Sequence, residues 1–506
     1  MKPHYWLALL LLLALQTPGV GTELHMTDGS KLEGDLVSLN QGTFKIRLDT
    51  GETVSIPEFT VQSILYPSRQ AGEGSSTPLV FFGSNTLGER LIPKLIETQL
   101  FQAGARRMQW LPGEQPNEYR LQVGNVPAGL PGSVIIQAHG SSDAFEALAG
   151  GEKVIGMTSR AINSAEQSSL SALGEMRDAN VEHVLALDGI ALIVHAGNPV
   201  EVLSRQQIAA IFAGEIKNWA ELNGPGGQIQ LYAHNRASGS YETFNTLLLE
   251  PQNKRLSINA NHYESSEALS DAVASDPNGI GFVGLAYVRQ AKALAIRECD
   301  LAYRPTRFAV KTEEYPLSRR LYLYTPKPWK TSEVKAFLSF ALSLKAQDII
   351  RELGFVDQAI EVGEDYAELM VSRLQTAILT TRNLGELQDL IELLKDAKRL
   401  SVTFRFRAGS SQPDNRALRD LDRLALYAQT LGAGRDLLLL GFSDQQGGYQ
   451  ANLKLSESRA QHIAKELTER GVAVSHVAGF GQEAPVACND YPGGAARNRR
   501  VEVWIR

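Results

Sequence analysis

The spacing of apolar and polar positions changes several times along the chain, and each change marks a segment. Residues 6–15 are one continuous apolar run, preceded by Lys2 and followed by Pro18, Gly19 and Gly21. A membrane-spanning helix needs about 20 apolar residues, so this shorter run fits a secretory signal peptide over 1–21. Between 22 and 66, short apolar-rich runs at 24–26, 31–39, 43–48 and 53–56 are separated by Asp28-Gly29, Asn40-Gln41-Gly42 and Asp49-Thr50-Gly51. That punctuation predicts four or five strands, a small N-terminal β-barrel-like module. Residues 67–77 are rich in Gly and Ser and read as a flexible linker. From 78 to about 356, strand-like runs alternate with helical ones, which predicts an α/β domain with mainly parallel sheets. Leu91, Ile92, Leu95, Ile96 and Leu100 line one helix face there, and Pro93 should kink or delay that helix. Residues 357–395 read as a helical connector, with Leu387, Leu390, Ile391 and Leu394 in phase. From 396 to 506 a strand at 400–406, an amphipathic helix at 415–430, a buried-type strand at 437–440 and a helix ended by Gly471 predict a C-terminal βαβ-rich domain. The fold class expected is therefore α/β and α+β, multidomain.

Composition narrows the function. A chain of 506 residues with 43% hydrophobic and 21% charged residues is an ordinary folded protein of about three domains. The net charge of -6 without a basic tract argues against nucleic acid as a partner. Two cysteines, Cys299 and Cys488, are too few for a disulfide framework or a cysteine zinc site; plain free thiols are one reading, and the sequence leaves their state open. The nine histidines show no metal-ligand spacing, and no P-loop, dinucleotide fingerprint, nucleophile elbow or catalytic carboxylate frame is present. No cofactor or metal is expected, and an enzyme is not expected.

Candidate chemistry lies in loops that lead from a strand into a helix. One runs through His234, Arg236 and then Ser238-Gly239-Ser240; two others are Gly83-Ser84-Asn85-Thr86-Leu87 and Gly140-Ser141-Ser142. Backbone N–H groups at a helix start, with serine and threonine hydroxyls beside them, make an anion-binding geometry. Taken singly, each is equally an ordinary capped surface loop; three in one domain point to a shared anion. The segment 315–320, with Arg319 and Arg320, reads as a surface turn at the start of a strand, since no spacing ties either arginine to the loops.

These residues, in their order, carry a resemblance. Gly83–Leu87, Gly140-Ser141, 157–160, 187–194, Ile211-Phe212-Ala213-Gly214 with Asn218-Trp219, Ser238-Gly239-Ser240 and 280–284 make residues 78–356 similar to the phosphate-binding protein of bacterial phosphate importers. The resemblance implies a two-lobed periplasmic-binding-protein domain that closes on phosphate or a similar small oxyanion. It implies oxyanion contacts from Ser84, Thr86, the Leu87 N–H, Ser141, Ser238, Gly239 and Ser240. The family arginine four residues before the Ser-Gly pair is replaced by His234, and Arg236 stands two residues on, so either is the candidate cation. Arg160 stands where some dedicated phosphate receptors carry an aspartate.

The C-terminal pattern carries a second resemblance. Gly441-Phe442-Ser443-Asp444, Asn452, Leu455-Ser456, Arg459-Ala460, Gly479-Phe480-Gly481 and 498–503 make residues 396–506 similar to the peptidoglycan-binding domain of the outer-membrane-protein-A family. That resemblance implies that Asp444 and Arg459 hold the ammonium and carboxylate of the diaminopimelate in a stem peptide, or pair with each other. Asn452, Arg499 and Arg500 are then expected to order the loop and sheet edge. The expectation as a whole is a wall-tethered oxyanion-binding protein in the periplasm of a Gram-negative bacterium, associated with peptidoglycan and the outer membrane. Its partners are phosphate or a similar anion, peptidoglycan, and an inner-membrane permease or envelope proteins met through the N-terminal β module. The alternative is a structural or signalling adaptor whose binding-protein fold has lost or changed its ligand.

Overall fold

A computed structural model describes residues 22–26, 30–40, 43–48, 50–57, 61–65 and 78–506, apart from 106, 125–129, 237, 330, 364–376, 379–380, 382, 407–409, 411, 432–434 and 492. The signal peptide and linker expected at 1–21 and 67–77 lie outside these residues. The chain forms two compact units, one of residues 1–79 with 97–135 and one of 80–96 with 136–506.

In the first unit, five short strands form an antiparallel sheet in the order Thr53–Pro57, Thr43–Arg47, Lys31–Asn40, Thr22–Met26, Val61–Leu65. Leu24, Ile46 and Ile56 form its small core, as alternation with one buried face requires. The same unit holds the antiparallel hairpin Arg107–Pro112 with Glu118–Gly124, where the Trp110 indole N–H donates to Glu97 at 2.6 Å.

Two strands organise the second unit. Glu182–Val194 and Ser318–Tyr324 pair antiparallel, Asp188 lying across from Arg319. Every residue of the first is buried, so it reads as an unbroken apolar run rather than an alternating one. These two strands pass from one hydrophobic core to another. Val184, Tyr322 and Tyr324 pack with Phe145, Leu148, Ile162 and Met176 in the first lobe. Leu187, Ile190 and Leu317 pack with Phe212, Trp219, Phe244 and Phe282 in the second. Strand order from one end is Asn261–Tyr263, Gln230–His234, Gly279–Gly284, Glu182–Val194, Ser318–Tyr324, Ile155–Thr158, Leu79–Gly83. Pairs are parallel toward both ends and antiparallel in the middle. Pro93 sits in the first turn of helix Leu91–Gln102, where its missing N–H leaves no helical bond unmade.

Residues 396–506 form a four-stranded sheet in the order Lys398–Arg405, Arg500–Ile505, Leu437–Phe442, His476–Gly479. Helices Asn415–Thr430 and Tyr449–Glu469 add Leu421, Leu424, Ile463 and Leu467 to its core. The mixed α/β and α+β class read from the sequence therefore holds, but the expectation of mainly parallel sheets does not, because the two crossing strands pair antiparallel with each other and with their neighbours. Within 357–395 a helix runs Leu384–Leu394. Residues 361–363 are instead extended and pair with the C-terminal sheet: Gly363 N–H donates to Arg399 O at 2.8 Å and Ser401 N–H to Glu361 O at 2.9 Å. Charge mixing in that stretch masked its short extended start.

The cysteines correct the free-thiol reading: Cys299 and Cys488 form a disulfide 189 residues apart in sequence. Counting cysteines does not reveal that one pair can staple two domains. Among the described residues, no helix is long and apolar enough to cross a membrane.

Candidate functional site

Short connections at strand ends place the site. Gly83 adopts φ +129°, and a Cβ there would stand 2.2 Å from Met157 O, so only glycine allows this approach. The turn puts Ser84 at the start of helix Asn85–Gly88, with Ser84 N–H donating to Met157 O at 2.8 Å. Gly140 N–H donates to Gly83 O at 2.9 Å, bringing Ser141 alongside. The Ser141 hydroxyl accepts the Ser159 N–H at 3.0 Å, and the two hydroxyls lie 3.1 Å apart. From the second lobe, Ser238 caps helix Gly239–Phe244 by accepting the Ser240 N–H at 3.2 Å. Gly239 approaches the first lobe closely: its N–H points at Asn85 Oδ1 at 3.5 Å, and a Cβ would lie 2.3 Å from Ser159 Oγ.

At the centre stands Arg319, which corrects the surface-turn reading of 315–320. It is 6% exposed and pairs with Asp188, 1% exposed, through Nη2 at 2.6 Å and Nε at 3.0 Å. Its fork reaches Ser240 Oγ at 3.2 Å, Thr243 Oγ1 at 3.3 Å and Thr86 Oγ1 at 3.5 Å. One guanidinium thus touches hydroxyls of both lobes from a strand that crosses between them. Asp188 in turn accepts the N–H groups of Gly189 and Leu285, which fixes the pair. The sequence signal available was the all-apolar run 187–194 interrupted by Asp188: a buried carboxylate needs a cation.

Asn85, Thr86, Glu89, His234, Ser238, Ser240, Glu264, Ser266, Tyr287 and Arg319 enclose a pocket of about 10 Å³. His234 lines it, but burial and then the neighbouring Arg319 charge push its pKa down to about 4, so the ring is neutral at neutral pH. Arg236 is exposed and faces a separate cleft of about 530 Å³ with Tyr241, Lys254 and Arg255. Neither candidate cation occupies the centre; Arg319 does. Arg160 is spent on carboxylates: Nη2 pairs with Glu166 at 2.6 Å and Nε with Glu242 of the second lobe at 2.5 Å. Burial works against its charge, but the bonds to Glu166 and Glu242 prevail and hold its pKa above the ordinary value. The Ser84 hydroxyl is buried without a partner and Leu87 is a core residue. Glu89, which sequence reading passed over, has its carboxyl pushed up to about 7 by burial and then by Glu267.

In the C-terminal domain Asp444 pairs with Arg499 at 2.6 Å rather than with Arg459. Its Oδ1 accepts the Gln446 N–H at 3.1 Å, and Asn452 Nδ2 donates to its carbonyl at 3.2 Å. Arg459 is 0% exposed, donates through Nε to Ser410 O at 3.0 Å and stacks over Phe406. Burial first, then Arg499, lowers its pKa to about 10. Arg499 also donates through Nε to Phe406 O at 3.3 Å, so it ties Asp444 to the sheet edge. Arg500 is structural, buried against Glu502 at 2.7 Å and stacked on Phe442.

Comparison with known proteins agrees with this architecture. Residues 118–345 match the PBP superfamily domain and residues 405–499 match the OmpA family. The chain is 29% identical over 270 residues to the phosphate-binding protein PstS of Pseudomonas aeruginosa, an alignment covering 49% of this chain and 79% of that one. Among solved structures it is similar to an ABC-type phosphate transport receptor from Vibrio cholerae, with 24% identity, 55% of this chain and 99% of that chain covered, and a TM-score of 0.42. Another is the peptidoglycan-associated lipoprotein from Burkholderia pseudomallei, with 25% identity, 21% and 89% covered, and a TM-score of 0.20. The chain thus carries a segment that matches the PBP superfamily domain, followed by one that matches the OmpA family.

Proposed function

We propose that residues 78–356 are a receptor for phosphate or a similar small oxyanion and that residues 396–506 fasten it to peptidoglycan. The observation that carries the first half is the convergence of the Thr86, Ser238, Ser240 and Thr243 hydroxyls from both lobes around Arg319. Such a set suits a compact tetrahedral anion, because many short donors can each meet one oxygen. Asp188 balances the Arg319 charge, so hydrogen bonds rather than net charge hold the ligand. To enter the pocket the anion takes over donors now engaged with one another, including the Arg319–Ser240 pair. The relative named as a phosphate-binding protein supports the same reading. The second half rests on Asp444, Arg459 and Arg499, which offer both charges to a ligand carrying an ammonium and a carboxylate. The compartment is then the periplasm of a Gram-negative cell, and the reading includes no catalytic step.

Calorimetry with phosphate, sulfate and a phosphate ester tests the receptor half. Phosphate is expected to bind and to raise thermal stability, since a ligand of the native state alone must do so. Arg319→Lys keeps the charge but loses the fork, and is expected to weaken binding at least about tenfold. Silence with all three anions favours the adaptor reading, which the small pocket and the Arg160–Glu242 pair between the lobes also support.

A further inference from the structure

The C-terminal domain grips both lobes of the receptor domain on their hinge strands. Asn415, Arg419 and Arg423 recur every four residues, forming one stripe of helix Asn415–Thr430. The stripe meets the first lobe. Asn415 Nδ2 donates to Arg177 O at 2.9 Å and to Glu182 at 3.0 Å, Arg419 Nη2 lies 3.1 Å from His183 Nδ1, and Arg423 donates to Gln358 at 3.1 Å. Gln358 itself donates to the carbonyls of Val184 and Leu185 on the crossing strand. The adjoining stripe, Arg416 with Asp420, meets the second lobe: Arg416 donates to Lys311 O at 2.8 Å and pairs with Glu313 at 3.2 Å. Between the two, Arg320 of the crossing strand pairs with Asp414 at 2.8 Å and with Glu313. The far end of the second lobe is held as well. Cys299, at the turn between strands Ala295–Glu298 and Leu301–Tyr303, is bonded to Cys488; Glu298 beside it pairs with Arg497, and the Tyr303 hydroxyl donates to Val486 O.

We infer that the C-terminal domain is a brace that fixes the angle between the two lobes. Opening the lobes rotates one against the other about strands Glu182–Val194 and Ser318–Tyr324. Any such rotation must pull either the 415/419/423 stripe from the first lobe or the 416 contacts from the second. Arg416–Glu313 is a buried ion pair and the others satisfy buried or half-buried polar groups, so breaking them leaves an unpaired buried charge and unmet hydrogen bonds. The disulfide removes the remaining freedom of the second lobe to slide. A receptor built this way exchanges its ligand by local movement around the pocket rather than by opening as a whole.

The brace is independent of which anion binds, so its test reads the protein without ligand first. Nitroxide labels at exposed Glu146 in the first lobe and Asn259 in the second report the inter-lobe distance in the full chain. The wild type is expected to give one narrow distribution that shifts by less than about 2 Å when phosphate is added. Two variants release opposite ends: Cys299→Ser with Cys488→Ser and Arg497→Ala, and separately Asn415→Ala with Arg419→Ala. At least one is expected to give a broader, longer distribution before any anion is added. A broad wild-type distribution, or a larger shift with phosphate, overturns the brace. So does a wild-type-like distribution in both folded variants. Absence of phosphate binding, by contrast, refutes only the receptor reading.

Discussion

Arg319 and its neighbours set the pH behaviour of the pocket. Two of the titratable groups that line it, Glu89 and His234, are shifted in opposite directions. The Glu89 carboxyl is raised to about 7 from an ordinary value of 4.5. The folded protein therefore holds a proton there that the unfolded chain has lost, and the associated stability is present below pH 4.5 and disappears as pH rises through 7. Glu89→Gln should raise the melting temperature at pH 8 and leave it nearly unchanged at pH 4.5. His234 is lowered to about 4 from 6.5, so its contribution is present above 6.5 and is lost as pH falls through 4, about 3 kcal/mol in all. His234→Gln should flatten that acid limb in thermal scans. For sulfate, which keeps its charge over this range, affinity should fall as Glu89 ionises near pH 7, by on the order of 1 kcal/mol. Calorimetry across pH should find that fall erased in Glu89→Gln and intact in His234→Ala; the reverse pattern would return His234 to the role of cation. The hydroxyl-bearing loops were legible because serine, threonine and glycine at strand-to-helix turns have a local signature. Arg319 was not, because its partner Asp188 lies 131 residues earlier and only the pairing of two strands brings them together.

At the scale of elements, the helix Gly239–Phe244 matters through what its first residue lacks. Gly239 meets Ser159 of the other lobe with no room for a methyl group. Gly239→Ala should therefore force the Ser159 hydroxyl aside, misplace the donors at the pocket and weaken anion binding roughly tenfold or more, with a loss of stability of about 1–3 kcal/mol. Binding isotherms and urea unfolding measure the two separately; unchanged affinity would show that the two loops need not stay in contact. The π-helical turn Asn245–Leu249 follows directly, and its uneven register was invisible to a 3.6-residue period. By contrast the amphipathic helix at 415–430 was read within its observed bounds, since its apolar face faces its own domain. What periodicity missed there is that the polar face is also buried: Arg416 meets Lys311 and Glu313, Arg423 meets Gln358, and Asp420 pairs with both arginines. Polar residues that pair with one another look the same in sequence as solvated ones.

For the whole molecule, wall attachment and anion binding make separable predictions. Full-length protein should co-sediment with diaminopimelate-type peptidoglycan. Asp444→Ala, Arg459→Ala and Arg499→Ala should each remove most of that pull-down, because each leaves a charged ligand group unpaired. Retained sedimentation by all three would refute the site. None of the three should alter phosphate calorimetry. The fold class was legible because segments of the chain differ in period, whereas the docking of helix Asn415–Thr430 on residues 177–183 and 311–313 was not, since it is made by long-range pairs.

The Cys299–Cys488 bond also has a consequence for how the protein is made. Chains emerge from their N-terminus, so the Cys299 thiol exists for the time of synthesis of 189 further residues before its partner appears. The sequence holds no third cysteine with which it can mispair. Oxidation therefore reports the moment when the last domain has folded and met the second lobe. In a pulse-chase experiment the fast-migrating oxidised form should appear only after full-length chains do, and only in an oxidising compartment. Material produced in a reducing cytosol should carry both thiols free and be less stable by about 2–4 kcal/mol, a difference that urea unfolding with and without reductant can read.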